Sequence, residues 1–194
     1  MKESSQSIQK IANGIKSGQV GIFPCDTVLG IIGLVTIENI KRIRAIKKRG
    51  DSPFLFLIPS QKWIESLTEG LSESQRMYCK RYWPGPMTFI FEKSARVPDE
   101  LTEYKESIAI RYPQFQPLNT ILDAVNAPLI STSVNISGEK AARRVSDCNP
   151  EIIDKCDFVY DELLPSLDTA STIVDIRTDN PSVIRKGAVE FERI

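Results

Sequence analysis

The sequence predicts a single α/β domain built on a mixed sheet. The chain has 194 residues, which is the size of one folding unit. Apolar residues make up 41% of it and charged residues 26%, so a sizeable core is expected and extensive disorder is excluded. Helical and strand patterns alternate, and several predicted strands are separated by too few residues for a helical crossover. The sheet should therefore contain both parallel and antiparallel pairs.

The first predicted helix precedes Gly18, a residue type that commonly ends helices. Its apolar residues follow the i, i+3, i+4, i+7 spacing that places side chains on one helical face. These residues are Ile8, Ile11, Ala12 and Ile15.

Two short apolar runs, at 20–23 and 29–35, are predicted to be buried strands. Thr36 can then cap a second helix, from about Ile37 to Arg49, which would end before Gly50. This pattern of two strands and a helix begins the α/β alternation.

The later elements continue the alternation. The run FLFLI at 54–58 predicts a central strand, and Ser60 is expected to cap a short helix after it. Ser72 and Gln75 have the spacing of a capping box, which would open a helix reaching about Tyr82. After the helix-breaking segment WPGPM, strands are predicted at 87–91 and 108–112, a helix at 118–125, and strands near 129–132, 158–160, 172–176 and 183–186.

The composition excludes several classes of site and location. The chain has no histidine, which excludes histidine-based triads, HExxH zinc sites and imidazole general bases. Its four cysteines form no CxxC pair, which argues against a zinc ribbon or redox dithiol and favours a reducing compartment. The N-terminal segment is polar and no apolar run could span a bilayer. We therefore expect a cytoplasmic protein without a membrane segment.

The densest charge cluster lies at the end of the second predicted helix. Acidic and basic residues balance at 25 each, so any affinity for polyanions must come from a local patch. The cluster could bind a polyanion or nucleotide phosphates, or it could be a solvated helix face. Its six basic residues are Lys41, Arg42, Arg44, Lys47, Lys48 and Arg49.

Two further segments could bind a polar ligand. Residues 131–138 (STSVNISG) follow an apolar strand, at the kind of strand end where α/β sheets bind ligands; the alternative is a turn that satisfies its own backbone. Arg111 follows another strand and could hold a carboxylate or phosphate in bidentate fashion, or form a surface salt bridge.

Cys25 is predicted to be a packed small residue, because no histidine could activate it. The polar segment 138–150 is the best candidate for a mobile loop.

Seven segments, in order, resemble the motifs of the YrdC/TsaC family, the L-threonylcarbamoyladenylate synthases of tRNA N6-threonylcarbamoyladenosine (t6A) biosynthesis. The resemblance spans nearly the whole chain and implies one YrdC-like domain, 1–194, in the short form of the family. It implies a twisted, open mixed sheet flanked by helices, with a concave basic site. The segments are PCDTVLG at 24–30, KKR at 47–49, WPGPMT at 83–88, SIAIRYP at 107–113, SVN at 133–135, STIVD at 171–175 and RKG at 185–187.

The resemblance implies a nucleotidyltransferase that uses ATP, L-threonine and bicarbonate, with Mg²⁺ accompanying the ATP and no protein side chain assigned to a metal. The products would be threonylcarbamoyl-AMP and pyrophosphate, formed when a carbamate oxygen of threonine attacks the α-phosphorus. Such chemistry needs positioning and charge neutralisation but no enzymic nucleophile, in agreement with a chain that lacks histidine. The implied partners are downstream t6A-modification proteins, and a contact with tRNA or other RNA stays open.

The resemblance also implies two sets of site residues. Fixed cations would neutralise the triphosphate, and an arginine would pair with the threonine carboxylate. Lys47 and Arg49 would have the catalytic role. The ATP-binding set is Lys47, Arg49, Ser52, Ser107, Ser133, Asn135 and Arg185, and the threonine-binding set is Thr27, Arg111, Ser131 and Ser171.

Two residues depart from the first motif of the family, where Cys25 replaces a threonine and Leu29 replaces an aromatic residue. Both are expected beside the threonine pocket, where loss of an aromatic wall would weaken amino-acid selectivity by about 1 to 3 kcal/mol. These departures leave open a paralogue with the same fold and another acyl substrate. The basic cluster leaves open a non-catalytic RNA-binding module.

Overall fold

A nine-stranded mixed sheet forms the centre of the protein in the computed structural model, which describes residues 2–162, 167 and 169–194. The strand order is β7-β1-β2-β6-β3-β5-β4-β8-β9, so β3 lies in the middle as predicted. The strands are β1 (Val20–Pro24), β2 (Leu29–Leu34), β3 (Leu55–Leu57), β4 (Met87–Glu92), β5 (Ser107–Arg111), β6 (Leu129–Ser133), β7 (Phe158–Val159), β8 (Thr172–Asp175) and β9 (Ser182–Arg185).

The predicted mixture of strand directions is confirmed. β1 pairs with β2 in antiparallel fashion across a short turn, whereas β1 pairs with β7, β3 with β5, and β4 with β8 in parallel fashion. The helices are α1 (Lys2–Lys16), α2 (Ile37–Lys47), α3 (Ile64–Leu67), α4 (Glu73–Tyr82), α5 (Gln116–Val125) and α6 (Pro150–Ile153), and 3₁₀ turns lie at Gln61–Trp63, Asp99–Thr102 and Val145–Asp147.

The helix ends agree with the sequence signals in most places. The Thr36 side chain accepts a hydrogen bond from the Asn39 backbone at 3.2 Å, and the predicted capping box at the start of α4 is present. The end of α2 differs, because Lys48 has a left-handed backbone, so the helix ends at Lys47 and not at about Arg49. Ser60 precedes a 3₁₀ turn and makes no side-chain cap, so that part of the prediction was wrong.

Strand alternation sends apolar side chains to both faces of the sheet. On one face, Phe56, Phe89 and Ile31 pack with α2, α3, α4 and α6. On the other face, Phe23 and Leu57 pack with α1 and α5, which lie against each other. Two apolar layers therefore stabilise the sheet, one on each side.

The segment 138–150 contains more structure than its polar composition indicated. It includes a 3₁₀ turn, and it buries Ala142 and Cys148 against the core. The Ala142 amide donates a hydrogen bond to the Val134 carbonyl at 2.9 Å. Mobility of this segment stays a prediction.

Within the described part of the chain, no helix is both long enough and apolar enough to cross a membrane.

The central strand allows a test of the core. Phe56 is 1% exposed, so Phe56→Ala removes buried apolar surface and leaves a cavity. We expect the free energy of unfolding, measured by urea titration, to fall by about 3 to 5 kcal/mol. Val183→Ala is the control, since Val183 lies 43% exposed on edge strand β9 and should change stability by less than about 0.5 kcal/mol. Equal losses in both variants would contradict this assignment of the core.

Candidate functional site

A cavity of about 350 Å³ opens on the sheet face that α1 and α5 pack against, beyond the area these helices cover. Its floor consists of residues that share this face on neighbouring strands. Ser131 of β6 pairs with Leu55 of β3, which pairs with Ala109 of β5. Thr88 of β4 pairs with Ile173 of β8. Small or polar side chains at most of these positions leave room for a ligand.

Arg49 lies on the cavity wall just after α2. Its Nε donates to the Ser52 carbonyl at 3.2 Å, a second nitrogen donates to the Pro53 carbonyl at 3.0 Å, and its guanidinium lies 5.0 Å from the Phe54 ring centroid. Partial burial and the charge of Arg44 lower the pKa of Arg49 below its ordinary value. The cation is therefore held in place on the wall, where its guanidinium is suited to an anionic ligand.

Arg185 forms another part of the wall, on strand β9. It donates to the Ser171 carbonyl at 2.8 Å and to the Ser171 hydroxyl at 3.2 Å. That hydroxyl also lies 2.8 Å from the Thr88 hydroxyl. Burial and the nearby Arg111 lower the pKa of Arg185. The Arg185 guanidinium thus lies beside the paired hydroxyl groups of Ser171 and Thr88.

Arg111 is 2% exposed at the end of β5 and forms an ion pair with Asp26 at 3.1 Å. It also donates to the Thr27 hydroxyl at 3.2 Å. The expected alternative of a surface salt bridge is wrong, because the pair is buried beneath the cavity. Both Asp26 carboxylate oxygens and the Arg111 Nε lack a hydrogen-bond partner among the described residues. Buried polar atoms without hydrogen bonds are costly, and a bound polar ligand can supply the missing hydrogen bonds to these atoms.

Lys47 does not line the cavity, although it was predicted to bind phosphate. The side chain is buried at the end of α2. Its ammonium donates to the Ser133 carbonyl and, at 2.8 Å each, to the backbone and side-chain oxygens of Asn135. Burial and the charge of Arg49 lower the pKa of Lys47 to about 8. The ammonium therefore lies behind the cavity wall.

Ser133 and Asn135 do line the cavity, just past the end of β6. The Ser133 hydroxyl lies 2.6 Å from the Asn135 side-chain oxygen, and the Asn135 amide donates to the Glu139 carbonyl at 2.8 Å. The predicted self-satisfied turn is therefore present and lines the cavity, and ligand binding by it stays a prediction.

Three of the eleven predicted site residues lie outside the cavity lining. They are Lys47, Ser52 and Ser107. Ser52 is exposed on the loop after α2, and Ser107 begins β5 two positions before the floor residue Ala109. The other eight line the cavity, namely Thr27, Arg49, Arg111, Ser131, Ser133, Asn135, Ser171 and Arg185.

Sequence reasoning missed three polar side chains at the site. Thr88 ends the WPGPMT segment and lies on the cavity floor, and Asp26 belongs to the PCDTVLG segment. Both occur within segments that were already singled out, so the signal was present. Glu139 lines the cavity without any sequence signal, because its position depends on the turn that follows Asn135.

The expectation for Leu29 was wrong. Leu29 packs in the core on the opposite sheet face, whereas its neighbours Val28 and Gly30 line the cavity. Strand alternation explains this placement, because adjacent residues point to opposite faces. Cys25 is packed as predicted, with its sulfur 4.0 Å from the Ser131 hydroxyl, and burial raises its thiol pKa to about 12.

The basic cluster is divided rather than continuous. Arg42 forms an ion pair with Asp157 and Arg44 with Glu103, and both pairs are partly buried. Lys48 pairs with Glu151 at 3.0 Å. Internal partners therefore use several of the cations that composition alone would assign to a solvated face or a polyanion.

The fold and the cavity define an α/β protein with an arginine-lined cavity on an open sheet face. The Sua5/YciO/YrdC family, which carries the description telomere recombination, has a sequence profile that matches residues 13–187. This chain belongs to that family.

Relatives agree with this placement. The chain is 30% identical over 188 residues to the threonylcarbamoyl-AMP synthase of Pyrococcus abyssi, a match that covers 95% of this chain and 55% of the relative. It is 29% identical over 167 residues to the enzyme of that name from Blochmanniella pennsylvanica, covering 83% of this chain and 85% of the relative. The chain thus spans about half the length of its P. abyssi relative.

Solved structures agree on the fold. P. abyssi Sua5 complexed with L-threonine has a TM-score of 0.86 and 29% identity, over 93% of this chain and 54% of that chain. E. coli YciO has a TM-score of 0.79 over 94% of this chain and 89% of that chain, and at 22% identity it supports the fold alone.

Gly187 tests how the wall around Arg185 is built. A Cβ there would lie 2.3 Å from the Ala170 carbonyl oxygen and 2.4 Å from the Ser171 carbonyl carbon, both backbone atoms. We expect Gly187→Ala to lower the free energy of unfolding by about 1 to 3 kcal/mol, because the backbone must shift. Gly50→Ala is the matched control, since a Cβ there meets nothing within 4 Å. Indistinguishable urea midpoints for the two variants would contradict this close approach.

Proposed function

We propose that this chain is an enzyme, a transferase that forms threonylcarbamoyl-AMP and pyrophosphate from ATP, L-threonine and bicarbonate in t6A biosynthesis. The observation that carries the proposal is the convergence of three guanidinium groups, those of Arg49, Arg111 and Arg185, on one cavity. Support comes from relatives that bear the name threonylcarbamoyl-AMP synthase. In reaction class it is a nucleotidyltransferase, because adenylate passes from pyrophosphate to a carbamate.

Arg49 and Arg185 are the cations that we assign to the triphosphate. Burial and a neighbouring arginine lower the pKa of each group, with Arg44 beside Arg49 and Arg111 beside Arg185, so an anion bound at either group is favoured. Negative charge on the α-phosphate oxygens and on the leaving pyrophosphate is stabilised by such preorganised cations. The carbamate itself is the nucleophile, so no activated side chain is required.

Arg111 is the residue that we assign to the threonine carboxylate. Its buried partner Asp26 keeps the local charge balanced, so a zwitterionic amino acid suits this pair better than a simple anion. Thr27, Ser131 and Ser171 supply hydroxyl groups around the same part of the cavity. These groups are suited to fix the amino acid with its amine free to carry the carbamate.

Ser133 and Asn135 are the groups that we assign to the nucleotide. Ser52 and Ser107 lie outside the cavity lining, so in this proposal they contact only parts of ATP that extend beyond it. Among the described residues no group of three or more carboxylates and thiols could hold a metal ion. We therefore propose that Mg²⁺ is held chiefly by ATP phosphate oxygens, which hard cations prefer.

The setting of the protein is also a proposal. We propose that residues 1–194 act as one YrdC-like domain in the cytoplasm, where the four free thiols would stay reduced. Its product is a reactive mixed anhydride, so downstream t6A-modification proteins must consume it promptly. RNA binding by the basic cluster has weaker support, since three of its six cations form ion pairs with carboxylates of this chain.

Pyrophosphate release from Mg-ATP tests the proposed reaction. We expect release only when L-threonine and bicarbonate are both present. Serine should react at least about tenfold more slowly, because a missing methyl group costs about 1 to 3 kcal/mol of discrimination. Arg185→Gln, purified in the same way, controls for contaminating ATPases.

Two negative outcomes would separate the alternatives. A folded protein that binds ATP yet releases no pyrophosphate would favour a paralogue with another acyl substrate. A protein that binds RNA in a salt-sensitive way but does not bind ATP would favour the non-catalytic module.

Substrate assignments are tested by two conservative variants. Arg111→Ala would strand the buried Asp26, at a cost of about 3 to 5 kcal/mol, so Arg111→Lys is preferable. We expect Arg111→Lys to raise the KM for threonine about tenfold with little change for ATP, because lysine cannot form a bidentate contact. Arg49→Lys should show the opposite split, so each variant controls for the other. Parallel losses for both substrates in both variants would contradict this division.

A further inference from the structure

We propose that Lys47 is a positioning residue, which holds the segment 133–142 against the cavity and does not bind phosphate itself. The inference deepens the proposed function and rests on it for the identity of the nucleotide. Its structural part, the clamping of the segment, concerns the free protein and stands independently of any ligand.

The Lys47 ammonium has no donor to spare. An ammonium carries three N–H groups, and three oxygens accept from it, the Ser133 carbonyl and the backbone and side-chain oxygens of Asn135. All three acceptors are uncharged. A phosphate contact would require breaking these bonds and would leave buried acceptors unpaired, which is costly. Arg49, two residues later, faces the cavity instead.

The backbone of Lys47 supports the same segment. The Ser137 amide donates to the Lys47 carbonyl at 2.9 Å, so this one residue binds both ends of the Ser133–Ser137 turn. The Ala142 amide then donates to the Val134 carbonyl at 2.9 Å, which folds the rest of the segment back onto the turn. The segment is thus anchored at its start by a side chain and a backbone group of α2.

Several cavity groups depend on this anchor. Ser133, Asn135, Glu139 and Ala141 all line the cavity, and all belong to the clamped segment. A loss of the ammonium should therefore shift a whole wall of the site. If Lys47 instead contacted phosphate directly, its loss would weaken nucleotide binding and leave the cavity wall of the free protein unchanged.

Amide hydrogen exchange in the ligand-free protein is the first test. In Lys47→Met, we expect the amides of Ser137 and Ala142 to exchange at least about tenfold faster than in the unmodified protein, because the anchor is lost. Exposed Lys41 of the same helix provides the control Lys41→Met, which should leave these rates unchanged. Unchanged exchange of both amides in Lys47→Met would overturn the proposal.

A double-mutant cycle on ATP affinity is the second test. We expect Lys47→Met alone to weaken ATP binding about tenfold. When Asn135→Ala is already present, the same change should weaken it less than about threefold, because both changes disrupt the same Lys47–Asn135 contact. The same change combined with Arg185→Gln, which lies on another part of the wall, should be additive. A tenfold loss in both the unmodified and Asn135→Ala backgrounds would show that Lys47 contacts phosphate directly.

The tests remain decisive in two further cases. If Lys47→Met does not fold by circular dichroism, Lys47→Gln replaces it; its amide has two donors for the three acceptors, so faster exchange of the same amides is again expected and unchanged exchange again overturns the proposal. If the unmodified protein binds no ATP, the proposed function fails, whereas the exchange rates still decide whether Lys47 clamps the segment.

Discussion

The cavity exists because part of one sheet face is left without a helix. Alternation along the strands sends Phe56 and Phe89 into the core on one side and leaves small or polar groups, such as Ala109 and Thr88, on the other. α1 and α5 cover the far part of this second face and pack against each other. The apolar layer below supports the floor, and the small side chains above it leave space for a ligand.

Electrostatics then shape what this space can hold. Arg49, Arg111 and Arg185 surround it, yet only Arg111 has a buried carboxylate partner. The site therefore combines a positive region suited to phosphates with a charge-balanced pair suited to a zwitterion. In the proposed reaction, this division would separate the nucleotide from the amino acid within one cavity. No strongly nucleophilic side chain is needed for this, and the buried thiol of Cys25 is unsuited to that role.

The two departures from the family motif lie in different parts of the folded chain. Leu29 replaces an aromatic residue but lies in the opposite core, so its effect on amino-acid selectivity can only be indirect. Cys25 lies close to the Ser131 hydroxyl, and a Cβ on Gly30 would lie 2.9 Å from its sulfur. A small side chain at position 25 therefore matters for packing behind the cavity wall more than for contact with a substrate.

Local sequence signals predicted every strand and most helix ends, because periodicity and caps such as Thr36 and Ser72 act over a few residues. Motif resemblance likewise identified Arg111 and Arg185. The burial of Lys47, its three partners and the ion pair of Arg111 with Asp26 were not visible in the sequence. They depend on which strands become neighbours and on where α2 ends, and residues such as Lys47 and Asn135 are 88 positions apart. Long-range packing alone determines which charged groups face the ligand and which support the wall behind it.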